Sequence, residues 1–227
     1  MRWNKRSFDS QGLTQHPPGP HLAALAPRLK IRVTSVGRWD DIGQVLQSMG
    51  VDFEPFESQY DAAILFANCG TPDRLDAGRV RSFVENGGCL YASDRQAATV
   101  IAAFPELFME VDAIASGNLV ARVEDQELAS IIGSVVTIHF DTDGRVLDSS
   151  DGFTILRDPA SGRPIMIEVP AGKGAVFFTS FHNHAQASKK ERELLQLLVL
   201  KQIGRTTKTS VAAAGRALGI GLVRGTK

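Results

Sequence analysis

Several features that define special protein classes are scarce in this 227-residue sequence. It has two cysteines, Cys69 and Cys89, both in apolar runs, which argues against a disulfide scaffold and predicts buried thiols in a reducing, cytoplasmic compartment. No stretch approaches the ~20 apolar residues that cross a bilayer, and the N-terminus lacks the apolar core of a secretory signal peptide. Zinc-finger, helix-turn-helix and basic-aromatic patterns are also missing, which excludes sequence-specific nucleic-acid recognition.

The charges that are present divide the chain into three parts. The formal net charge is zero, but residues 1–30 carry five Lys/Arg against one acid, and residues 205–227 carry five Lys/Arg and no acid. Residues 31–204 therefore hold 15 basic and 24 acidic residues. We interpret the ends as a flexible basic leader and a basic tail on one acidic domain. The tails are either solvated or docked onto an acidic partner or an anionic surface.

The C-terminal segment "SVAAAGRALGIGLVRG" has the pattern of a short basic amphipathic helix. Val211, Leu218 and Leu222 lie near one face, and Arg216 and Arg224 lie elsewhere. Gly215, Gly219 and Gly221 each weaken a helix by about 1 kcal/mol relative to alanine. We therefore expect this tail to stay loose until a protein partner binds it.

Strand and helix patterns alternate over the first half of the acidic domain. "IRVTSVG", "DAAILFANCG" and "CLYASD" are apolar runs typical of strands covered on both faces, and helical patterns ending in glycine or before proline separate them. This alternation predicts an α/β fold with a flavodoxin-like, doubly wound parallel sheet.

The pattern changes in the second half of the domain. Residues of about 115–170 form short strand patterns separated by turn signals such as "DTDG", which predicts a β-rich antiparallel insertion. "GAVFFTSFH" then returns as a parallel-type strand, and a helix with Ser188 as its N-cap follows.

Ligands of open α/β sheets bind beyond the carboxyl ends of the parallel strands. That rule selects candidate cleft residues without any further motif. They are Ser35, Gly37, Cys69, Gly70, Ser93, Asp94, His182 and His184.

The order and spacing of "ANCGTPD", "FVENGGCLYASD" and "GKGAVFFTSFH" resemble the class I glutamine amidotransferase-like superfamily, in particular its trehalose-utilisation-like branch. The resemblance covers roughly residues 31–110 and 163–204. It implies a nucleophile on a strand-to-helix elbow and a His-Pro-Glu motif after a late strand. His182 falls on the family's histidine, whereas Asn183 and His184 replace the proline and the glutamate.

At the elbow, the resemblance places Ser93 or Asp94 near the nucleophile position. Cys89 lies four residues earlier, inside the strand, and Gly70 would supply an oxyanion N–H. A nucleophile elbow needs small residues two positions on either side. Tyr91 and Arg95 flank Ser93 at that spacing, so amidotransferase chemistry is not expected.

Three interpretations of this cleft remain open. In the first, Ser93 is the nucleophile of a hydrolase, His182 is the base, and Asp94 or Glu168 orients the imidazole. In the second, His182 and His184 bind a metal with Asp94 and Cys69. In the third, the histidines only cap the strand and its loops, and the fold has lost its chemistry.

The "DTDG" turn offers a further metal motif, because Asp141 and Asp143 resemble the opening of a calcium loop. Gly152 stands where that loop needs a glutamate, so a turn is the better interpretation. We expect a non-catalytic binding or scaffolding module in a cytoplasmic bacterial protein assembly, with no cofactor and no metal. The alternative is the serine-type hydrolase.

Overall fold

The structure, a computed structural model, describes residues 29–220 and has an α/β fold. Most of the predicted leader, together with Leu222 and Arg224, lies outside the described residues. Eleven strands occur in the described part of the chain. They are β1 (Ile31–Val33), β2 (Glu54–Pro55), β3 (Ile64–Ala67), β4 (Cys89–Ser93), β5 (Met109–Ile114), β6 (Gly117–Val123), β7 (Val135–Phe140), β8 (Gly144–Asp148), β9 (Phe153–Arg157), β10 (Pro164–Ala171) and β11 (Gly174–Thr179).

The α-helices of the described residues follow the glycine and proline punctuation of the sequence. They are α1 (Ile42–Ser48), α2 (Ala77–Glu85), α3 (Ala97–Ala103), α4 (Gln126–Ile132), α5 (Lys189–Thr207) and α6 (Val211–Ala217). The predicted N-cap of α5 is confirmed, because the Ser188 side chain accepts from the N–H of Glu191 and the Glu191 carboxylate accepts from the N–H of Ser188. This is a capping box, which satisfies two orphan donors of the helix start. No described helix has both the length and the apolar character to cross a bilayer.

The large sheet has nine strands in the order β2-β1-β3-β4-β11-β10-β9-β6-β7. The first five strands run parallel to one another. From β10 onward the pairing is antiparallel. The predicted parallel strand "GAVFFTSFH" thus pairs with β4, and the strands predicted as an insertion extend the same sheet, except for β8.

Side chains on the parallel strands alternate between two hydrophobic cores. Tyr91 packs in the core beneath α1, α5 and α6, whereas its neighbour Leu90 packs in the core beneath α2 and α3. Since successive strand residues point to opposite faces, this alternation requires helices on both faces of the sheet. The parallel part is therefore doubly wound, as the continuous apolar runs predicted.

One strand was not predicted. β5 pairs with β8 in a separate two-stranded sheet, and all of β5 but its last residue is exposed. Its sequence, "MEVDAI", places acidic residues between apolar ones and follows directly on a proline turn. Such a strand carries no continuous apolar run, which was the signal that revealed the others.

The prediction that the segment of residues 210–225 stays loose is wrong for residues 210–220. Helix α5 continues to Thr207, and α6 follows with Val211 and Ala214 buried in the same core as α5. Burying these side chains offsets the weak helix propensity of the glycines, so the core of this chain orders the segment.

Candidate functional site

Four loops at the carboxyl edge of the parallel sheet meet around one buried cluster. Asp40 comes from the loop between β1 and α1, Cys69 follows β3, Asp94 follows β4, and His182 follows β11. All four residues are buried. The strand-end rule selected Cys69, Asp94 and His182, but it did not select Asp40.

Asp94 stands on the elbow between β4 and a short 3₁₀ turn (Asp94–Gln96). Its φ of 39° lies in the left-handed region, which is strained for a residue other than glycine. The carboxylate holds the elbow in place, because Oδ1 accepts from the N–H of Arg145 at 2.9 Å. Oδ2 faces Cys69 Sγ at 3.5 Å and His182 Nε2 at 3.2 Å. A carboxylate thus occupies the position that a nucleophile holds in an elbow.

His182 lies between two carboxylates. Nε2 pairs with Asp94, and Nδ1 pairs with Asp141 Oδ1 at 2.7 Å. Trp39 stacks on the imidazole with 5.9 Å between ring centroids and 17° between ring planes. The ring is therefore fixed from its two nitrogens and from one neighbouring aromatic side chain.

These contacts shift the protonation of the cluster. Burial disfavours the charged imidazole, but hydrogen bonds with Asp94 and Cys69 and the nearby carboxylates outweigh it and raise the pKa of His182 to about 11. Burial also acts to raise the pKa of Asp94, yet the hydrogen bond with His182 leaves that pKa below its ordinary value. Burial raises the pKa of the Cys69 thiol and of the Asp40 carboxyl.

Hydrogen bonds to the Asp40 carboxylate connect three loops of the site. Oδ2 accepts from the hydroxyl of Ser93 and from the N–H of Cys69, the latter at 3.1 Å. Oδ1 accepts from the N–H of Asn183 at 2.6 Å. Asn183 in turn accepts from the N–H of Asp41 at 2.9 Å through its side-chain oxygen. A fully buried carboxylate with three donors is satisfied, so Asp40 acts as a structural link beneath the cluster.

Two predicted cleft glycines allow the loops to approach closely. A Cβ on Gly37 would lie 2.0 Å from the Cys69 carbonyl oxygen. Gly70 has a φ of 72°, and a Cβ there would lie 2.6 Å from the Trp39 ring. Both positions need glycine because backbone or an aromatic ring occupies the space of a side chain.

The mouth of the cluster combines an aromatic ring with two cations. Trp39 is half-buried, and the exposed guanidinium groups of Arg38 and Arg95 lie 4.9 Å and 4.2 Å from its ring centroid. A cation over an indole ring is a favourable arrangement. This surface presents positive charge and an aromatic ring outside the buried carboxylates.

The geometry separates the predicted site residues into those that meet and those that do not. Cys69, Asp94 and His182 meet, and their ligating atoms all lie within 4.8 Å of one another. His184 is exposed and has no part in this group. The histidine pair of the predicted metal site is therefore not formed, whereas a cysteine, a carboxylate and one imidazole are brought together.

The predicted serine hydrolase arrangement is not formed either. In the part of the chain that the structure describes, no hydrogen bond joins Ser93 to His182, and the Ser93 hydroxyl donates to Asp40 instead. Glu168, a candidate for orienting the imidazole, pairs with Lys201 and Arg205.

Asp141 was interpreted only as part of a turn, and the structure corrects this. It reaches His182, whereas Asp143 Oδ1 accepts from the N–H of Ser116. Sequence reasoning therefore missed Trp39, Asp40 and Asp141. The strand-end rule would have found Asp40 if it had been applied to the whole β1–α1 loop.

The predicted partner-binding tail is partly described. Arg216 is exposed, whereas Leu218 is half-buried and packs against the core of its own chain. Of the residues predicted to contact a partner, Arg216 is therefore the exposed one among residues 29–220.

No protein-family model matches this chain, and no curated protein sequence matches it. Among solved structures, a β-galactosidase from Rahnella sp. R3 is similar, with 13% identity and a TM-score of 0.56 over 81% of this chain and 33% of that chain. The present chain thus spans about a third of that enzyme. At this identity the similarity shows the fold alone.

A cytoplasmic protein from Salmonella typhimurium is similar over 75% of this chain and 98% of its own, with 12% identity and a TM-score of 0.52. A glutamine amidotransferase from Thermotoga maritima has 8% identity and a TM-score of 0.47 over 84% of this chain and 96% of its own. The comparisons therefore support an α/β fold that occurs both as a whole protein and as one part of longer enzymes.

Proposed function

We propose that this protein is a non-catalytic, class I amidotransferase-like binding module of a cytoplasmic bacterial assembly. Its fold would be flavodoxin-like, and two features support that. Numbered by chain order among themselves, the five parallel strands follow the order 2-1-3-4-5, in which β11 is the fifth. The late histidine, His182, lies beside the elbow after β4. The trehalose-utilisation-like branch remains a proposal based on sequence spacing.

One observation carries the non-catalytic part of the proposal: the elbow residue is Asp94, and the neighbouring Ser93 hydroxyl is directed to Asp40. Nucleophilic catalysis by serine requires a base within hydrogen-bond reach of the hydroxyl and a third group that orients the base. Here both ring nitrogens of His182 face carboxylates. The serine and the histidine that a hydrolase would pair with each other are therefore each hydrogen-bonded to carboxylates instead.

The binding part of the proposal is supported by the mouth of the cluster. Trp39 is half-buried and stacks on His182, and the guanidinium groups of Arg38 and Arg95 over its ring would attract an anionic small ligand. Strand ends in open α/β sheets are the usual place for such a ligand. The fold's occurrence as about a third of a longer glycosidase supports its use as one module among others.

The experiment that tests the absence of catalysis is intact-mass spectrometry after exposure to a fluorophosphonate and to iodoacetamide. We expect neither probe to label the folded protein rapidly, because the Ser93 hydroxyl and the Cys69 thiol are buried and hydrogen-bonded. Unfolded protein is the positive control for iodoacetamide. Rapid single labelling of Ser93 that disappears in His182→Ala would establish the serine hydrolase and overturn the proposal.

A protein partner at the tail is the remaining part of the proposed function. Arg216 is the exposed cation of α6, and Leu222 and Arg224 continue the predicted basic segment. We expect a photo-crosslinking residue at position 216 of the full chain to give a defined adduct in bacterial cells. The same residue at the exposed position 184 is the control, and equal adducts at both positions would contradict a partner specific to the tail.

A further inference from the structure

Three different metal-ligating atoms meet at the ends of three adjacent strands. The atoms are Cys69 Sγ, Asp94 Oδ2 and His182 Nε2, and each lies within 4.8 Å of the other two. Their residues are 0%, 3% and 2% exposed. A thiol, a carboxylate and an imidazole are the three side-chain types that bind zinc in proteins.

Two of the three separations between these atoms fit the edges of a metal tetrahedron. Bonds of about 2.3 Å to sulfur and about 2.0 Å to nitrogen or oxygen, arranged tetrahedrally around zinc, place sulfur and oxygen about 3.5 Å apart and nitrogen and oxygen about 3.3 Å apart. The corresponding distances here are 3.5 Å from Cys69 to Asp94 and 3.2 Å from His182 to Asp94. The third edge, from Cys69 Sγ to His182 Nε2, is no longer than 4.8 Å, so the three atoms surround a space of the size that one ion needs.

Hydrogen bonds from groups around the cluster orient two of the three ligands, His182 and Asp94. Asp141 accepts at Nδ1 of His182, which leaves Nε2 directed at the cluster. A carboxylate on the far nitrogen of a metal-binding histidine fixes the ring and increases its basicity. The N–H of Arg145 binds the other oxygen of Asp94, so Oδ2 is the oxygen left for the ion. The three ligands lie just after the ends of β3, β4 and β11, which pair side by side.

We propose that Cys69 Sγ, Asp94 Oδ2 and His182 Nε2 together bind one zinc-class divalent cation. The mixture of thiolate, imidazole and carboxylate favours zinc, cobalt or similar ions over magnesium and calcium, which prefer oxygen ligands alone. Three protein ligands leave a fourth position for a water or for a donor atom of a small ligand. This inference rests on the proposed binding function and names the group that would hold the ligand.

The experiment uses the full-length protein, freed of metal with a chelator and then titrated with Co²⁺, which reports its ligands by colour. Cobalt is added to the folded protein and, separately, during refolding, so that slow entry into a buried site does not hide binding. We expect one cobalt per chain, a thiolate-to-cobalt charge-transfer band in the near ultraviolet, intense visible bands typical of tetrahedral cobalt, and loss of both on adding Zn²⁺. A wild-type protein with saturating cobalt and no charge-transfer band overturns the proposal.

The chain offers a matched control for each ligand type. Cys69→Ser should remove the charge-transfer band, whereas Cys89→Ser should keep it, because Cys89 is also buried but lies at the other end of β4. In the same way, His182→Gln should weaken binding and His184→Gln should not. Circular dichroism of each variant shows whether it is folded. Equal cobalt spectra for Cys69→Ser and Cys89→Ser overturn the assignment of the site.

Asp141→Asn tests the orienting role separately from ligation. Since Asp141 contacts the ring and not the ion, the charge-transfer band should remain while affinity falls by about 10–100-fold. Asp143→Asn, in the same turn, should bind as the wild type does. Unchanged affinity in Asp141→Asn would contradict the role of Asp141 in the metal site.

The two proposals fail in different ways. If the wild-type protein binds no cobalt and the probes label neither Ser93 nor Cys69, the non-catalytic module stands and the metal site is wrong. If Ser93 is labelled rapidly and its labelling depends on His182, the proposed function itself is wrong, whatever the cobalt result.

Discussion

The hydroxyl of Ser93 donates a hydrogen bond to the carboxylate of Asp40, and both side chains are completely buried. The two residues are 53 positions apart in the chain. This bond gives the hydroxyl a structural role, because Asp40 also accepts from the backbone N–H groups of Cys69 and of Asn183.

Replacing Ser93 by alanine should destabilise the protein. The change removes one of three donors to a buried carboxylate, and leaving such a group under-satisfied costs about 1–3 kcal/mol. Urea unfolding followed by circular dichroism measures the loss. Ser130→Ala, at an exposed helix position, is the control and should change the free energy of unfolding by less than about 0.5 kcal/mol. A Ser93→Ala protein as stable as the wild type would show that this bond contributes nothing.

Gly37→Ala should disrupt the contact between the β1–α1 loop and the loop after β3. The new Cβ would meet the Cys69 carbonyl oxygen at 2.0 Å, and backbone cannot move aside as a flexible side chain can. Overpacking of this kind costs about 1–3 kcal/mol or more. Thermal unfolding provides the measurement.

Gly78→Ala is the matched control for that substitution. Gly78 lies in α2, and the nearest atom to its added Cβ is Asp76 Oδ1 at 3.4 Å. Better helix propensity should make this variant neutral or up to about 1 kcal/mol more stable. The opposite order of stability for the two alanine variants would contradict the proposed clash at Gly37.

Lys201→Met should destabilise the packing of α5 against the sheet. Lys201 pairs with Asp125 at 2.8 Å and with Glu168 at 3.5 Å, where all three side chains are mostly buried. Removing the cation removes the ion pair of Asp125 and leaves Glu168 paired with Arg205 alone. The loss of such charged hydrogen bonds costs about 1.5–3 kcal/mol. Chemical denaturation measures the change.

Lys189→Met is the comparison for Lys201. Its ion pair with Glu193 is exposed and 3.7 Å long, so it should contribute about 0–0.5 kcal/mol. If both methionine variants lose the same stability, burial is not what makes the Lys201 pair important.

Asp158→Asn should make stability less sensitive to acid. Burial acts to raise the pKa of Asp158, but hydrogen bonds from Ser161 and the backbone outweigh it and hold the pKa below the ordinary value of 3.8. A carboxyl with a lowered native pKa stabilises the fold fully above 3.8 and loses that contribution as the pH falls through the native pKa. Unfolding measured from pH 6 to pH 3 should therefore show a difference between wild type and variant that shrinks below about pH 4.

Asp151→Asn is the control for the acid series, because Asp151 is exposed and its carboxylate is not part of this loop network. Its stability should follow the wild-type curve over the whole pH range. A constant difference between Asp158→Asn and the wild type down to pH 3 would contradict the lowered pKa.

The helices and the parallel strands were predictable because their signals are local. The helix α2 buries Val80, Phe83 and Val84, the same three residues that helical spacing selects. The position of the cluster was predictable as well, since parallel strands bring their carboxyl ends to one edge. Strand β5 escaped prediction because acidic residues interrupt its apolar pattern.

The direction of each side chain could not be read from the sequence. His182 and His184 are two residues apart in one loop, yet one is buried between carboxylates and the other is exposed. No periodicity governs a loop outside a strand or helix, so packing against other loops decides which histidine turns inward.

The sequence by itself determined the alternation of strands and helices, the doubly wound sheet and the edge at which the cluster forms, because hydrophobic periodicity and strand polarity act over short stretches of chain. Only the tertiary structure decided that Ser93 pairs with Asp40 and that Asp141 reaches His182 across 41 positions. Those pairings depend on how the β1–α1 loop and the antiparallel extension fold back over the strand ends. The hydrogen-bond partners of each side chain in the cluster therefore follow from these long-range contacts.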